Sequence, residues 1–207
     1  LLTLGPTFIK LGQLLSTRPD VLPPEYVDVL SQLQDEVPPA PWAEAREVVE
    51  SELGPVEEYF EDFDTDAISG ASLGQVYRAR IDGDPVAVKV RRPGVKALVN
   101  ADLQVLRWTL PVLVRFVGEG RAFSLRNLAD EFAETIREEM DYQREGRMLQ
   151  EIGANFADAD DIRIPGLVES HSGPRVMTME YVPGTKVTKV DELDAMGLDR
   201  SELARTL

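Results

Sequence analysis

Hydrophobic spacing changes character several times along the chain. From residue 5 to about residue 54 apolar positions recur every three or four residues, the mark of amphipathic helices. In "GPTFIKLGQLLSTRPD" Phe8, Leu11, Leu14 and Leu15 share one face, and Lys10 and Gln13, three apart, project together beside it. "LPPEYVDVLSQLQDEVPP" sets Tyr26, Val29, Leu30 and Leu33 at helical spacing between prolines, and "APWAEAREVVESELG" opens on Pro41 and stops at Gly54. These segments predict a helical unit, residues 1–56, separate from the rest of the chain. From Phe60 the period falls to two. "SLGQVYRARI" alternates Leu73, Gln75 and Tyr77 against Val76 and Ala79; "DGDP" is a hairpin turn, and "VAVKV" returns as a strand with Lys89 at a core-facing place. The helical period resumes over residues 91–117. "GEGRAF" reads as a loop, and one long helix runs from its cap, Ser124, to its stop, Gly153. "DIRIPGLVES" and "PRVMTMEYV" predict two more strands joined by "HSGP". "VPGTKV" reads as a linker and "DRSELARTL" as the start of a short helix. The fold class is therefore α+β, an antiparallel sheet with long helices behind a helical extension.

Composition narrows the chemistry. The 207 residues suit one or two domains, and 43% hydrophobic content supports a packed core. With no cysteine there is no disulfide framework and no thiolate metal site. The one histidine, His171, reads as a solvated turn residue, which argues against a histidine-based metal site or dyad. A formal net charge of −15 argues against a nucleic-acid partner. Lysine is scarce (Lys10, Lys89, Lys96, Lys186 and Lys189), which fits a protein kept soluble at high salt or a generic acidic surface equally well. No signal peptide, initiator Met or membrane-spanning run is present; "LPVLVRFV" is too short and carries Arg115. A cytoplasmic protein, at most peripheral at a membrane, is expected.

The strand lysine calls for an explanation. A lysine inside a strand is expensive to desolvate without an anionic partner. A small-residue loop, Ser69-Gly70-Ala71-Ser72, precedes it, and Glu145 and Asp141 lie four apart on one predicted helix face. Glu139, Asp141 and Glu145 also read as the solvated side of a generally acidic helix.

Three spaced motifs give these residues a common meaning. They are Lys10-Leu11-Gly12-Gln13 in the first helix, the small-residue loop, and Glu139-Met140-Asp141 in the long helix. Together they resemble the UbiB-type atypical kinases, also called ADCK or AarF, from about residue 4 to about residue 184. The resemblance implies a kinase-like small lobe over residues 57–182, a hinge exit and the start of a large lobe over 183–207, and the extension before them. It implies that Lys89 grips the α and β phosphates of ATP and that Glu145 orients it. Ser69 to Ser72 would cover the phosphates, Met179 would guard the back of the adenine pocket, and Glu180 to Val182 would hold the adenine edge. Lys10, Gly12 and Gln13 would lay the extension over the site, with Lys10 facing Glu139 and Asp141. Gly70 departs from the alanine usual in that loop, and glycine admits positive φ and close approach to phosphate. Such a family implies ATP and Mg²⁺ as cofactors and a role near membrane lipids and quinone-pathway proteins, not phosphorylation of proteins in trans. The metal-binding Asp and Asn of a large lobe are absent from "TKVTKVDELDAMGLDRSELARTL", so the chain reads as a fragment with no metal ligands of its own. Two other readings stand beside this one: a catalytically silent module that docks a lipid-pathway partner, and a conventional protein kinase.

Overall fold

A computed structural model describes residues 5–18, 23–31, 38–116 and 119–206. Four helices come first: α1 (Pro6–Ser16), α2 (Pro24–Ser31), α3 (Trp42–Glu52) and α4 (Val56–Tyr59). Then come β1 (Asp62–Phe63), β2 (Ser69–Gly70), β3 (Gly74–Ile81) and β4 (Asp84–Arg91). Helix α5 (Val95–Leu113) ends in a short 3₁₀ turn, Val114–Phe116, and is followed by α6 (Glu119–Glu138) and α7 (Tyr142–Asn155). Strand β5 (Val176–Glu180) and helices α8 (Val190–Ala195) and α9 (Arg200–Thr206) complete the order.

The sheet is antiparallel throughout, in the order β1-β3-β4-β5, with β2 sharing the outer edge of β3. Its spine is the β3–β4 hairpin. Asp82 and Gly83 both hold positive φ, 51° and 83°, which matches the right-handed strand twist as a two-residue turn must. The register from Ile81↔Asp84 to Gly74↔Arg91 then sets Tyr77, Ala79, Val86, Val88 and Val90 on one face, joined by Val176 of β5. Helix α3 covers that face with Ala45, Val48 and Val49, and Trp42 stacks on Phe63 at 4.7 Å. The third helix, read from the sequence as part of a separate unit, thus packs directly into the sheet's core.

A second core joins Leu73, Val95, Val99, Leu103, Phe132, Ile136 and Met140, where α5 and α6 pair as a hairpin. Helix α1 lies on this hairpin. Thr7 Oγ1 donates to Asp102 at 2.5 Å, and Leu11 and Leu14 pack against the cluster. The best-buried residues of α1 are Thr7, Ile9, Gly12 and Ser16, so its apolar stripe is not its only inward face.

Several expectations need correction. The helix expected from Ser124 to Gly153 is two helices. It begins earlier, at Glu119, so Ser124 is interior and much of "GEGRAF" is helical. It breaks at Glu139–Asp141 because Asp141 accepts from the amides of Gln143 and Arg144, 3.1 and 3.2 Å, and so starts α7. Arg91 donates to the Met140 carbonyl at 2.9 Å, satisfying an acceptor that the break leaves over. "DIRIPGLVES" forms no strand, only an isolated bridge from Leu167 to Met179. Pro165 cannot donate to a ladder there. His171 is no solvated turn residue: Nε2 lies 3.0 Å from the Tyr59 carbonyl, and the Tyr59 and Phe60 rings stand at 5.6 and 5.5 Å. The second helix is described only as far as Ser31, and Leu33 lies outside the described residues.

Candidate functional site

Alternation along β4 places Lys89 opposite to where the sequence pattern put it. Val86, Val88 and Val90 occupy the core face, so Lys89 points from the other face toward α7. There its ammonium donates to both carboxylate oxygens of Glu145, at 2.6 and 2.7 Å, with the two side chains 25% and 39% exposed. The same ammonium lies 4.8 Å from the centre of the Tyr142 ring. Tyr142 and Glu145 are three residues apart and so share the face of α7 that meets the sheet.

The small-residue loop closes over this pair. Ser69 and Gly70 pair with Val76 and Gln75, the Ala71 amide donates to the Gly74 carbonyl at 2.8 Å, and Ser72 is buried. Gly70 does not use positive φ; it sits extended in β2. The loop is anchored by Arg92, whose guanidinium donates to the carbonyls of Ala71 (2.9 Å) and Pro38 (2.7 Å). Two adjacent arginines at the end of β4 therefore tie down both walls of the site, Arg92 the loop and Arg91 the α6–α7 break. Burial, foremost, lowers the pKa of each from its ordinary value, and the Arg175 charge adds to the effect at Arg91.

Between the walls is a cavity of about 570 Å³, within the range of small-molecule sites. Lys10, Gln13, Ser69 to Gly74, Lys89 and Glu145 line it, as do Glu138, Glu139 and Tyr142. Lys10 of the extension meets Glu139 at 2.5 Å. The structure thus gathers most of the expected residues at one place. Asp141 is the exception in its motif: it caps α7 where the sequence reading had it facing Lys10. Gly12 is buried within α1 and does not line the cavity. Met179, Glu180 and Val182 also lie outside the lining. Met179 pairs with Ala87, two residues along β4 from Lys89, while the Glu180 amide donates to Gly166 (2.8 Å) and its carboxylate meets Arg163.

Tyr142 is the residue the sequence reading missed. It is 2% exposed, and its hydroxyl is buried with no hydrogen-bond partner among the described residues. Burial, aided by the Glu145 charge, pushes its pKa well above the ordinary phenol value. The hydroxyl rests against Gly74, where any Cβ would collide with it. Its place next to Asp141 and one turn before Glu145 was a usable signal. Lys186, from the segment read as a linker, also reaches the cavity.

The arrangement suits an anionic, phosphate-bearing ligand: a fixed ammonium at the floor, a short loop of small residues above it, and Lys10, Arg144 and Lys186 around the mouth. Among the described residues no three carboxylate or histidine side chains converge as a metal site. The ABC1 atypical kinase-like domain matches residues 32–207. The chain belongs to that family. It is 46% identical over 208 residues to the protein named Activity of BC1 Complex Kinase 8, chloroplastic, of Arabidopsis thaliana, covering 99% of this chain and 27% of that protein. An uncharacterized protein of Synechocystis sp. is 41% identical over 207 residues, covering 99% of this chain and 35% of its own length. Activity of BC1 Complex Kinase 1, chloroplastic, of Arabidopsis thaliana is 39% identical over 202 residues, covering 96% and 30%. The chain thus spans about a third of these relatives or less. The antiparallel sheet, the lysine strand and the flanking helices are the kinase-like small lobe of this family, with α1 laid against it.

Proposed function

We propose that this ABC1-family chain forms the nucleotide-gripping half of an ATP-binding kinase or ATPase that serves isoprenoid-quinone or membrane-lipid metabolism. The observation that carries the reading is the two-pronged Lys89–Glu145 contact beneath the Ser69–Gly74 loop. Glu145 holds the ammonium in place, so that it meets the α and β phosphates without reorganising. Lys10, held by Glu139, keeps the extension at the mouth and narrows access for a large substrate, which favours a small or lipid substrate over a protein. When bound, Mg²⁺-ATP supplies the transferable phosphoryl group. The residues that position a nucleophile and hold the metal in kinases are expected in the length that the relatives have beyond this match. No helix among the described residues is long and apolar enough to cross a membrane, and a peripheral association with the lipid surface is proposed.

A thermal shift tests the reading. At a hundredfold excess over the dissociation constant, Mg²⁺-ATP should stabilise the full-length protein by about 2.7 kcal/mol. Lys89→Ala should abolish that shift, and residues 1–207 alone should show little of it. An equal shift in the Lys89→Ala protein refutes the assignment of Lys89. ATP hydrolysis by residues 1–207, lost in Lys89→Ala, would show that the catalytic groups lie within this chain.

A further inference from the structure

Helix α5 is apolar on two sides, and the core uses only one. Val95, Val99 and Leu103 face inward. Trp108 and Val112 lie on another side and stay exposed, Trp108 by 77%, while the half-exposed Leu98 and Val105 border α1, beside Gly5 and beside Phe8 and Leu11. Phe116, after α5, is 84% exposed, and Phe123, in α6, is 68% exposed. Three large aromatics left exposed on one helix pair are unusual for a surface that meets only water.

Charge tells which contact. The chain carries −15 overall, yet between Val105 and Asn127 four arginines stand against one carboxylate, Glu119. Arg107, Arg115 and Arg126 make no ion pair or hydrogen bond among the described residues. Most other cations are engaged, as Lys10, Arg18, Arg46, Lys89, Arg163 and Arg175 show. Unengaged arginines interleaved with Trp and Phe match an anionic bilayer surface, where rings enter the headgroup layer and guanidinium groups meet lipid phosphates.

We propose that the exposed face of α5, with Phe116, and the exposed Phe123 and Arg126 of α6 dock this protein on an anionic lipid surface. The hairpin springs from the end of β4 and returns, through the α6–α7 break, beside Lys89 and Glu145. The proposal rests on the membrane-lipid part of the function proposed above and is independent of nucleotide binding.

The test is vesicle flotation of the full-length protein. Equimolar phosphatidylcholine and phosphatidylglycerol vesicles are compared with pure phosphatidylcholine. Binding is expected only to the anionic vesicles and should fall with salt. The triple variant Arg107→Gln, Arg115→Gln, Arg126→Gln should lose roughly a hundredfold in affinity. A second variant, Trp108→Gln with Phe116→Ser, should bind weakly at any salt. Within this chain Trp42 packs against the sheet core and Trp108 is exposed, so lipid contact should give a blue shift of the emission that the Trp108→Gln variant lacks. Circular dichroism and the Mg²⁺-ATP thermal shift should be the same in all variants; loss of that shift in every protein would count against the nucleotide reading alone. Vesicle binding that neither variant weakens overturns the assignment of this surface. So does failure to bind either vesicle, or a dimer in light scattering that both variants dissociate, which would give the face to a second copy.

Discussion

Replacing Tyr142 by Phe should stabilise this protein, although it removes a polar group at the centre of the candidate site. The hydroxyl is buried, pressed against Gly74, and unpartnered. A buried polar group without a partner costs about 1–3 kcal/mol relative to its hydrated state. Phe keeps the ring, its packing and its face toward the Lys89 ammonium at 4.8 Å, and it leaves a gap of only one oxygen. A net gain of about 1 kcal/mol is expected, which for a domain of this size raises Tm by about 2–4 °C. The alkaline side gives an independent check. In the unfolded chain the phenol ionises near pH 10. In the folded protein burial and the Glu145 charge hold its pKa higher. Above pH 10 the folded state therefore binds the extra proton, and wild-type stability falls as pH rises, by up to about 1.4 kcal/mol per unit. The Phe variant has no such group, so its advantage should widen above pH 10. Urea unfolding at pH 7.5, 9 and 10.5 measures both arms. A variant less stable than wild type at pH 7.5, or an advantage that does not grow with pH, refutes the reasoning.

Three further outcomes are expected from the same geometry. Gly74→Ala should destabilise the wild type because its Cβ meets the Tyr142 hydroxyl, and less in the Tyr142→Phe background, where the tight approach to the Val90 carbonyl, 3.2 Å, remains and the nearest ring carbon is 3.5 Å away; a double-mutant cycle by denaturant unfolding reads the difference. Asp141→Ala removes the cap of α7 and should cost about 1 kcal/mol, with hydrogen exchange rising first at Gln143 and Arg144. Lys10→Ala breaks a partly exposed ion pair and should cost no more than about 1 kcal/mol, while exchange in residues 5–18 rises; unchanged exchange there would mean that the Lys10–Glu139 contact does not hold the extension.

Local chemistry was readable in the linear order wherever it rests on near neighbours. The Asp82-Gly83 hairpin, the helix of Lys10 and Gln13, and the small-residue loop before the lysine strand all depend on periods and turns a few residues long. The three motifs that carry the family resemblance could be recognised for the same reason. Tertiary structure decided matters of direction and termination. Lys89 reads as facing the core in "VAVKV", yet the register to β3 sends the valines inward and the lysine out toward Glu145. Nothing in "REEMDYQREG" distinguishes a helix that continues from one that stops, since Asp141 suits an exposed helix face as well as a cap. The break exists because Arg91, forty-nine positions away, reaches the Met140 carbonyl while Asp141 accepts from the amides of Gln143 and Arg144. Tyr142 became a site residue only when that break turned its ring under Gly74. The helical period over residues 91–117 did not say which apolar positions of α5 a neighbour covers; packing buries Val95, Val99 and Leu103 and leaves Trp108 and Val112 exposed.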